Sequence, residues 1–271
     1  MVVQTIARAP APPIPTFRRL DDIVAILGGT KMTFFPFLIH ENGNGAIPIR
    51  AYKSAHFLNP HDETGSARTL QSEFMPYRHV GGVHSYQLHA SDSGNLRGAD
   101  STDHEFPSNA AFSVGLWIYP IDITTVTLMA KYDINVQREW RLQLDSSSKI
   151  ELESFDETNN QDRTGASDTA VTANQWSFVV ATTDGADADA SMTFYLNGVV
   201  DGTGNTESGA AYASQPGTSA ALVIGATHNT TPAVTNLYTG RVALPFVTGT
   251  ELTAANVASL FVIGQELLGL A

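Results

Sequence analysis

Cysteine is absent from the 271 residues, so neither disulfides nor thiolate metal ligands contribute stability or chemistry. Positive charge is scarce: 15 Lys and Arg stand against 27 Asp and Glu, a formal net charge of −12. Nucleic-acid affinity rests on clustered Lys and Arg, and their scarcity argues against a phosphate-backbone partner. The scarcity is also uneven, because after Lys149 only Arg163 and Arg241 are basic while residues 151–210 hold eleven acids. That stretch reads as a solvated acidic surface, with steering of a cationic partner as the alternative. No run approaches the roughly 20 apolar residues of a membrane span. At the N-terminus, Gln4, Thr5 and Arg8 interrupt the apolar residues before the prolines begin, which argues against a secretory signal. Phosphate loops and a Gly-x-Ser-x-Gly nucleophile elbow are missing as well, and no cofactor is expected.

What is present is an ordinary globular composition, 42% hydrophobic and 15% charged, able to bury a sizeable core. Residues 1–16 carry Pro10, Pro12, Pro13 and Pro15 and read as an extended arm without a core of its own. In 17–30, Leu20, Ile23, Val24 and Leu27 mark one helical face, and Gly28-Gly29 stops it. From residue 31 to 271 the chain reads as one β domain of short apolar stretches broken by Gly, Asn, Asp and Ser. Ala111–Pro120, Trp140–Leu144, Trp176–Ala181, Leu222–Gly225 and Gly240–Val247 are its clearest strands. Met192, Phe194 and Leu196 alternate up to Asn197-Gly198, a strong hairpin signal. Thr253 is placed to cap a closing helix with Val257, Leu260 and Phe261 on its apolar face. The predicted fold is all-β, an antiparallel two-sheet jelly-roll sandwich with a short helix at each end and an extended N-terminal arm.

Several ordered pieces resemble the laminin-G-like jelly-roll family, grouped with concanavalin-A-like lectins and glucanases. Phe34-Phe-Pro-Phe37 leading to Glu41-Asn-Gly-Asn-Gly45 is similar to that family's opening strand and glycine-rich turn. Phe112-Ser-Val-Gly-Leu-Trp-Ile-Tyr-Pro120 resembles its F-S-x-x-x-W-x-x-P strand, and Asn174-Gln-Trp-Ser-Phe-Val-Val-Ala-Thr-Thr-Asp-Gly185 its G-Q-W-H-x-V-x-x-T-x-D-G strand. Phe194-Tyr-Leu-Asn-Gly-Val199, Ile224-Gly225 and Leu252-Thr-Ala-Ala255 are similar to later pieces in the same order. The resemblance implies the fold; function does not follow from it, because this scaffold hosts sugar binding, adhesion, structural roles and hydrolysis.

Many family members carry a calcium held by carboxylates. Here Ala90 and Ala243 stand where two of those carboxylates are expected, so no metal is expected unless Asp92, Asp100 or Asp103 compensates. Seven of the eight histidines fall between residues 40 and 104, but His84 and His89 are an odd number apart and face opposite ways on a strand. Glu151 and Glu153 are the candidate catalytic pair: alternate strand residues can supply the carboxyl spacing of about 5–5.5 Å that a retaining glycosidase needs. The segment loosely resembles the E-x-D-x-x-E strand of glucan-cutting relatives, with Glu153 and Asp156 exchanged in type. The alternative is a polar strand running into an acidic loop, Asp156–Asp162. Tyr132, Phe155 and Tyr212 are candidate glycan-stacking rings near loops, whereas Trp117, Trp140 and Trp176 sit in apolar strands and are assigned to the core.

Three function classes stay open. The first is a non-catalytic virion structural or adhesion protein, similar to the laminin-G-like tail-tip or capsid-decoration proteins of tailed phages. It would be oligomeric, joined to other virion proteins through residues 1–16 and the apolar tail Leu267–Ala271, and attached to protein or a cell-surface glycan. The second is a free carbohydrate-binding lectin. The third is a glycoside hydrolase using Glu151 and Glu153.

Overall fold

The computed structural model describes residues 16–37, 49–61, 76–92, 94–134, 136–186, 191–207, 212–229 and 233–270. Residues 1–15 of the arm, the turn at 41–45 and the side chain of Asp92 lie outside them.

Helix α1 (Thr16–Leu27) precedes strands β1 (Met32–Phe34), β2 (Ile49–Arg50), β3 (Phe57–His61), β4 (Pro76–Arg78), β5 (His84–Leu88) and β6 (Asn95–Gly98). The long strands follow: β7 (Phe112–Pro120), β8 (Val126–Ile134), β9 (Gln137–Leu144), β10 (Lys149–Asp156), β11 (Gln161–Ala170) and β12 (Ser177–Thr183). Then come β13 (Met192–Leu196), β14 (Val199–Thr203), β15 (Thr206–Glu207), β16 (Leu222–Ile224), β17 (Thr227–Asn229), β18 (Val234–Thr235), β19 (Gly240–Thr248) and helix α2 (Ala254–Leu268). The first sheet runs β14-β13-β12-β7-β19-β5-β4, with β1 also on β19. The second runs β15-β11-β10-β9-β8-β16-β6-β3-β2, with β17 parallel to β8 and paired to β18. The two antiparallel sheets and terminal helices are those expected from the sequence.

Apolar side chains form two layers. Between the sheets lie Phe112, Leu116, Trp140, Leu142, Leu152, Val179 and Phe194. On the far side of the first sheet, Leu20, Ile23, Trp117, Phe178, Leu260 and Ile263 join the helices to the strands. This sandwiching explains why β7 and β12 read as near-continuous apolar runs: both of their faces are covered. Strands β9 and β10 alternate in residue type over Trp140–Leu144 and Ile150–Glu153, because the inter-sheet core takes one face of the second sheet while polar side chains and the small cluster of Tyr132 and Phe155 take the other.

The Asn197-Gly198 turn has φ of 54° and 81°, the two left-handed residues a tight hairpin of this type requires, and joins β13 to β14. Thr253 caps α2 in a reciprocal arrangement with Asn256.

Two readings need correction. The supposed acidic loop at 156–162 is a short turn, 157–160, between β10 and β11, and β11 pairs in register with β10 from Asp156 back to Glu151 before a bulge towards Lys149. Of the apolar tail, Leu267 and Leu268 belong to the last turn of α2 and are only 2% and 3% exposed, because they complete the face that packs on the sheet, whereas Leu270 beyond the Gly269 cap is 37% exposed. No described helix is long and apolar enough to cross a membrane.

Candidate functional site

The outer face of the second sheet carries the acid pair. Glu151 lies opposite Gln143 on β9 and Ala166 on β11, and Glu153 lies opposite Arg141 and Thr164. Both carboxylates therefore point away from the core in one ladder. Gln143 donates from Nε2 to Glu151, and Arg141 donates from Nη2 to Oε2 of Glu153. The Tyr132 hydroxyl donates to the other Glu153 oxygen at 2.7 Å. Burial raises the Glu151 carboxyl above its usual range, and the Asp145 and Glu153 charges reinforce that against the Gln143 hydrogen bond. The third acid of the run, Asp156, is a structural cap: burial raises its pKa, but hydrogen bonds from Asn159, Ala213 and Ser214 more than offset this and hold it low.

Beside Glu151 opens a groove of about 480 Å³ lined by Thr164, Gly165, Ala166 and residues 203–206. Its lining offers hydroxyls, an amide and one carboxyl but no ring. The predicted stacking rings are elsewhere. Tyr132 and Phe155 meet edge to face, 6.2 Å between centres, on the same outer face, and are 6% and 7% exposed. Arg138 lies 3.6 Å from the Phe155 ring centre and Arg141 4.9 Å from that of Tyr132. Tyr212 is 5% exposed with Arg163 at 4.3 Å.

Asp100 and Asp103, the residues named as substitute calcium ligands, already have cationic or histidine partners. Asp100 accepts from Lys131 Nζ at 2.8 Å, and Asp103 lies 2.7 Å from His56 Nε2. Ala243 is fully buried opposite Trp117, and the Ala90 N–H donates to Thr239. Among the described residues, no three His, Asp or Glu side chains form a metal-ligand group.

A second cluster was not foreseen as a site. The helices cover only part of the first sheet's outer face; at their edge the Gly81 N–H donates to the Leu267 carbonyl, and His79 Nδ1 meets that of Leu268 at 3.1 Å. Beyond this edge the same face presents Tyr77, Gln87, Tyr119, Trp176 and Arg241. The pairing register puts them there: Arg241 lies opposite both Tyr119 and Gln87, Tyr77 lies opposite Ser85, and Trp176 is two residues before the outward Phe178.

The Arg241 guanidinium sits 3.9 Å from the Tyr77 ring centre and 5.6 Å from that of Tyr119, and its Nε donates to Gln87 Oε1 at 3.3 Å. Trp176 is braced edge to face by Tyr119 and by His79, both at 5.7 Å. All three rings are half-buried; Trp176 packs against the margin of the second apolar layer rather than inside the core, where Trp117 and Trp140 lie. The local signal for Trp176 is its place between the turn at Asn174-Gln175 and the start of β12 at Ser177; nothing local marks Tyr77 or Arg241.

A two-sheet antiparallel sandwich of this topology is a jelly roll of the concanavalin-A-like kind. A laminin-G family model, described as the concanavalin A-like lectin/glucanases superfamily, matches residues 93–258. The chain belongs to that family. No curated protein matches it.

Among solved structures, domain 4 of AbnA, an extracellular GH43 arabinanase of Geobacillus stearothermophilus in complex with arabinotriose, superposes with a TM-score of 0.54 at 14% identity, over 84% of this chain and 96% of that one. The binding domain of Paraclostridial Mosquitocidal Protein 1 gives 0.58 at 11%, over 87% and 52%. A botulinum neurotoxin type C structure, described as dependent upon interaction with two ganglioside molecules for passage into cells, gives 0.53 at 13%, over 80% and 50%. The chain spans about half the length of these toxin structures. At such identities the likeness is one of fold.

Proposed function

We propose that the chain is a non-catalytic attachment module that recognises a glycan. The observation that carries this reading is the row of half-buried rings Tyr77, Tyr119 and Trp176 on one open sheet face, with Arg241 and Gln87 set among them. Aromatic faces take the apolar face of a sugar ring, and a few fixed polar groups orient it. The sugar complex of the arabinanase domain and the ganglioside link of the toxin lend the reading support at the level of fold only.

Hydrolysis at Glu151 and Glu153 is disfavoured by geometry. Glu153 is only 8% exposed, and the Tyr132 hydroxyl and Arg141 that bond its two oxygens stand over it, so a sugar has little access to that carboxylate. Glycan-array binding by the full chain, lost in Trp176→Ala and Tyr119→Ala variants that fold normally, is the expected result. Binding indifferent to both substitutions would remove the platform from the reading, and sugar cleavage abolished by Glu151→Gln would restore the enzyme.

The finer form of the proposal places the module on a virion of the tailed-phage kind, joined to other virion proteins through residues 1–16. Only the Pro-rich arm of the sequence supports it, and none of the similar structures named above is a virion protein. If the arm makes subunit contacts, light scattering should give the full chain a larger mass than residues 16–271 alone; equal masses count against it.

A further inference from the structure

We infer that the sugar taken by the Tyr77, Tyr119 and Trp176 face bears a carboxylate, which Arg241 binds. This rests on the glycan reading above and names the ligand's class.

Arg241 has no carboxylate partner among the described residues, although acids far outnumber Lys and Arg in the chain after Lys149. Arg163, the other arginine there, is by contrast tied to Glu207 at 3.2 Å. The hydrogen bond Arg241 makes from its side chain uses Nε, which leaves the two terminal nitrogens, the ends of the guanidinium fork, without a hydrogen-bond partner among the described residues. Two tyrosine rings and Gln87 fix the plane of that fork, so little side-chain freedom is lost when a planar anion docks.

His79 does not compete for the anion. Its Nδ1 is engaged by the Leu268 carbonyl and its Nε2 by Ser85 at 2.9 Å, and burial holds its pKa low. A carboxylate matches the fork with two parallel hydrogen bonds, while the ring that carries it stacks on the neighbouring aromatics. A neutral sugar would leave the guanidinium edge facing only hydroxyls.

The test is titration calorimetry of the full chain with matched pairs: sialyllactose against lactose, and digalacturonate against its methyl ester. The carboxylated member should bind at least about tenfold more tightly, the size expected of a charged hydrogen-bonded contact. Arg241→Gln should bring the two members level, whereas Trp176→Ala should weaken both. Should Arg241→Gln fail to fold, salt serves instead: affinity for the carboxylated sugar should fall between low and high NaCl while that for its neutral partner stays level. Equal affinity within each pair overturns the carboxylate inference and leaves the glycan reading standing. Binding confined to sulfated sugars overturns it likewise. Failure of every sugar, neutral and acidic, overturns both.

Discussion

Lys131 Nζ lies 2.9 Å from Glu139 Oε1, with both side chains wholly removed from solvent. The ammonium also donates to Asp100 and to the Thr218 and Ala220 carbonyls, at 2.8, 2.7 and 2.9 Å. Glu139 in turn accepts from the Thr218 N–H and hydroxyl, so strand β8 is pinned to the segment leading into β16. Breaking a buried pair from one side leaves an uncompensated charge, which typically costs about 3–5 kcal/mol. Lys131→Met should therefore destabilise the fold by that order in urea denaturation, and adding Glu139→Gln should recover part of the loss. A single variant within about 1 kcal/mol of the parent would mean that the cluster is wetter than its burial implies.

Acid should act through His104. The ring is 1% exposed, its Nε2 meets Thr33 Oγ1 at 3.0 Å, and its Nδ1 is buried without a partner. Burial first, then the charges of His56 and Lys131, push its pKa down to about 3. The folded state thus keeps the imidazole neutral while the unfolded chain takes up a proton below its ordinary value near 6.5. Stability from this site is complete above pH 6.5 and is lost as pH falls towards 3, at about 1.4 kcal/mol per pH unit. His228, pushed down by burial to about 4, acts with the same sign. His104→Gln should lose about 2 kcal/mol less than the parent between pH 7 and 5. An unchanged difference between those two pH values would refute the assignment.

Helix α2 sits as close to the sheet as one missing side chain allows. A Cβ on Gly264 would fall 2.2 Å from the Trp117 indole nitrogen, and that ring is stacked with Phe178 at 5.2 Å and Phe261 at 5.3 Å. Gly264→Ala therefore trades a gain in helix propensity of about 1 kcal/mol against overpacking of about 1–3 kcal/mol. The net expectation is a lower melting temperature with a shifted tryptophan emission. A raised melting temperature would show that the helix can slide without loss.

These particulars also mark what a reader of the sequence can and cannot see. Strands β7 and β12, the Asn197-Gly198 hairpin and the Thr253 cap were legible because each is written in neighbouring residues. Strand β11 was not, since its inward positions include Gly165 and Ser167 rather than large apolar groups. The reason lies across the fold: a Cβ on Gly165 would fall 2.3 Å from the Gly204 carbonyl oxygen and 3.0 Å from the Phe194 ring. The ring platform was illegible for the same kind of reason. Tyr77, Gln87, Tyr119, Trp176 and Arg241 are brought together by strand order and register, which no local pattern encodes.

Helix α1 is an integral part of the second apolar layer. Leu20, Ile23 and Leu27 are 0%, 3% and 0% exposed against the same layer as Trp117 and Phe178, and Arg19 reaches Glu266 of α2 at 2.6 Å. Burying an aliphatic side chain contributes about 1.5–3 kcal/mol, so three of them outweigh the entropy of ordering one short helix that the sheet already templates. Removal of residues 1–15 should leave thermal unfolding unchanged, because it touches none of these contacts. Removal of 1–27 should lower stability by several kcal/mol, since Leu20, Ile23 and Leu27 would no longer fill their part of that layer. If the longer truncation melts with the parent, α1 is an accessory laid on a sheet that is complete without it, and the Arg19 to Glu266 pair merely tethers it.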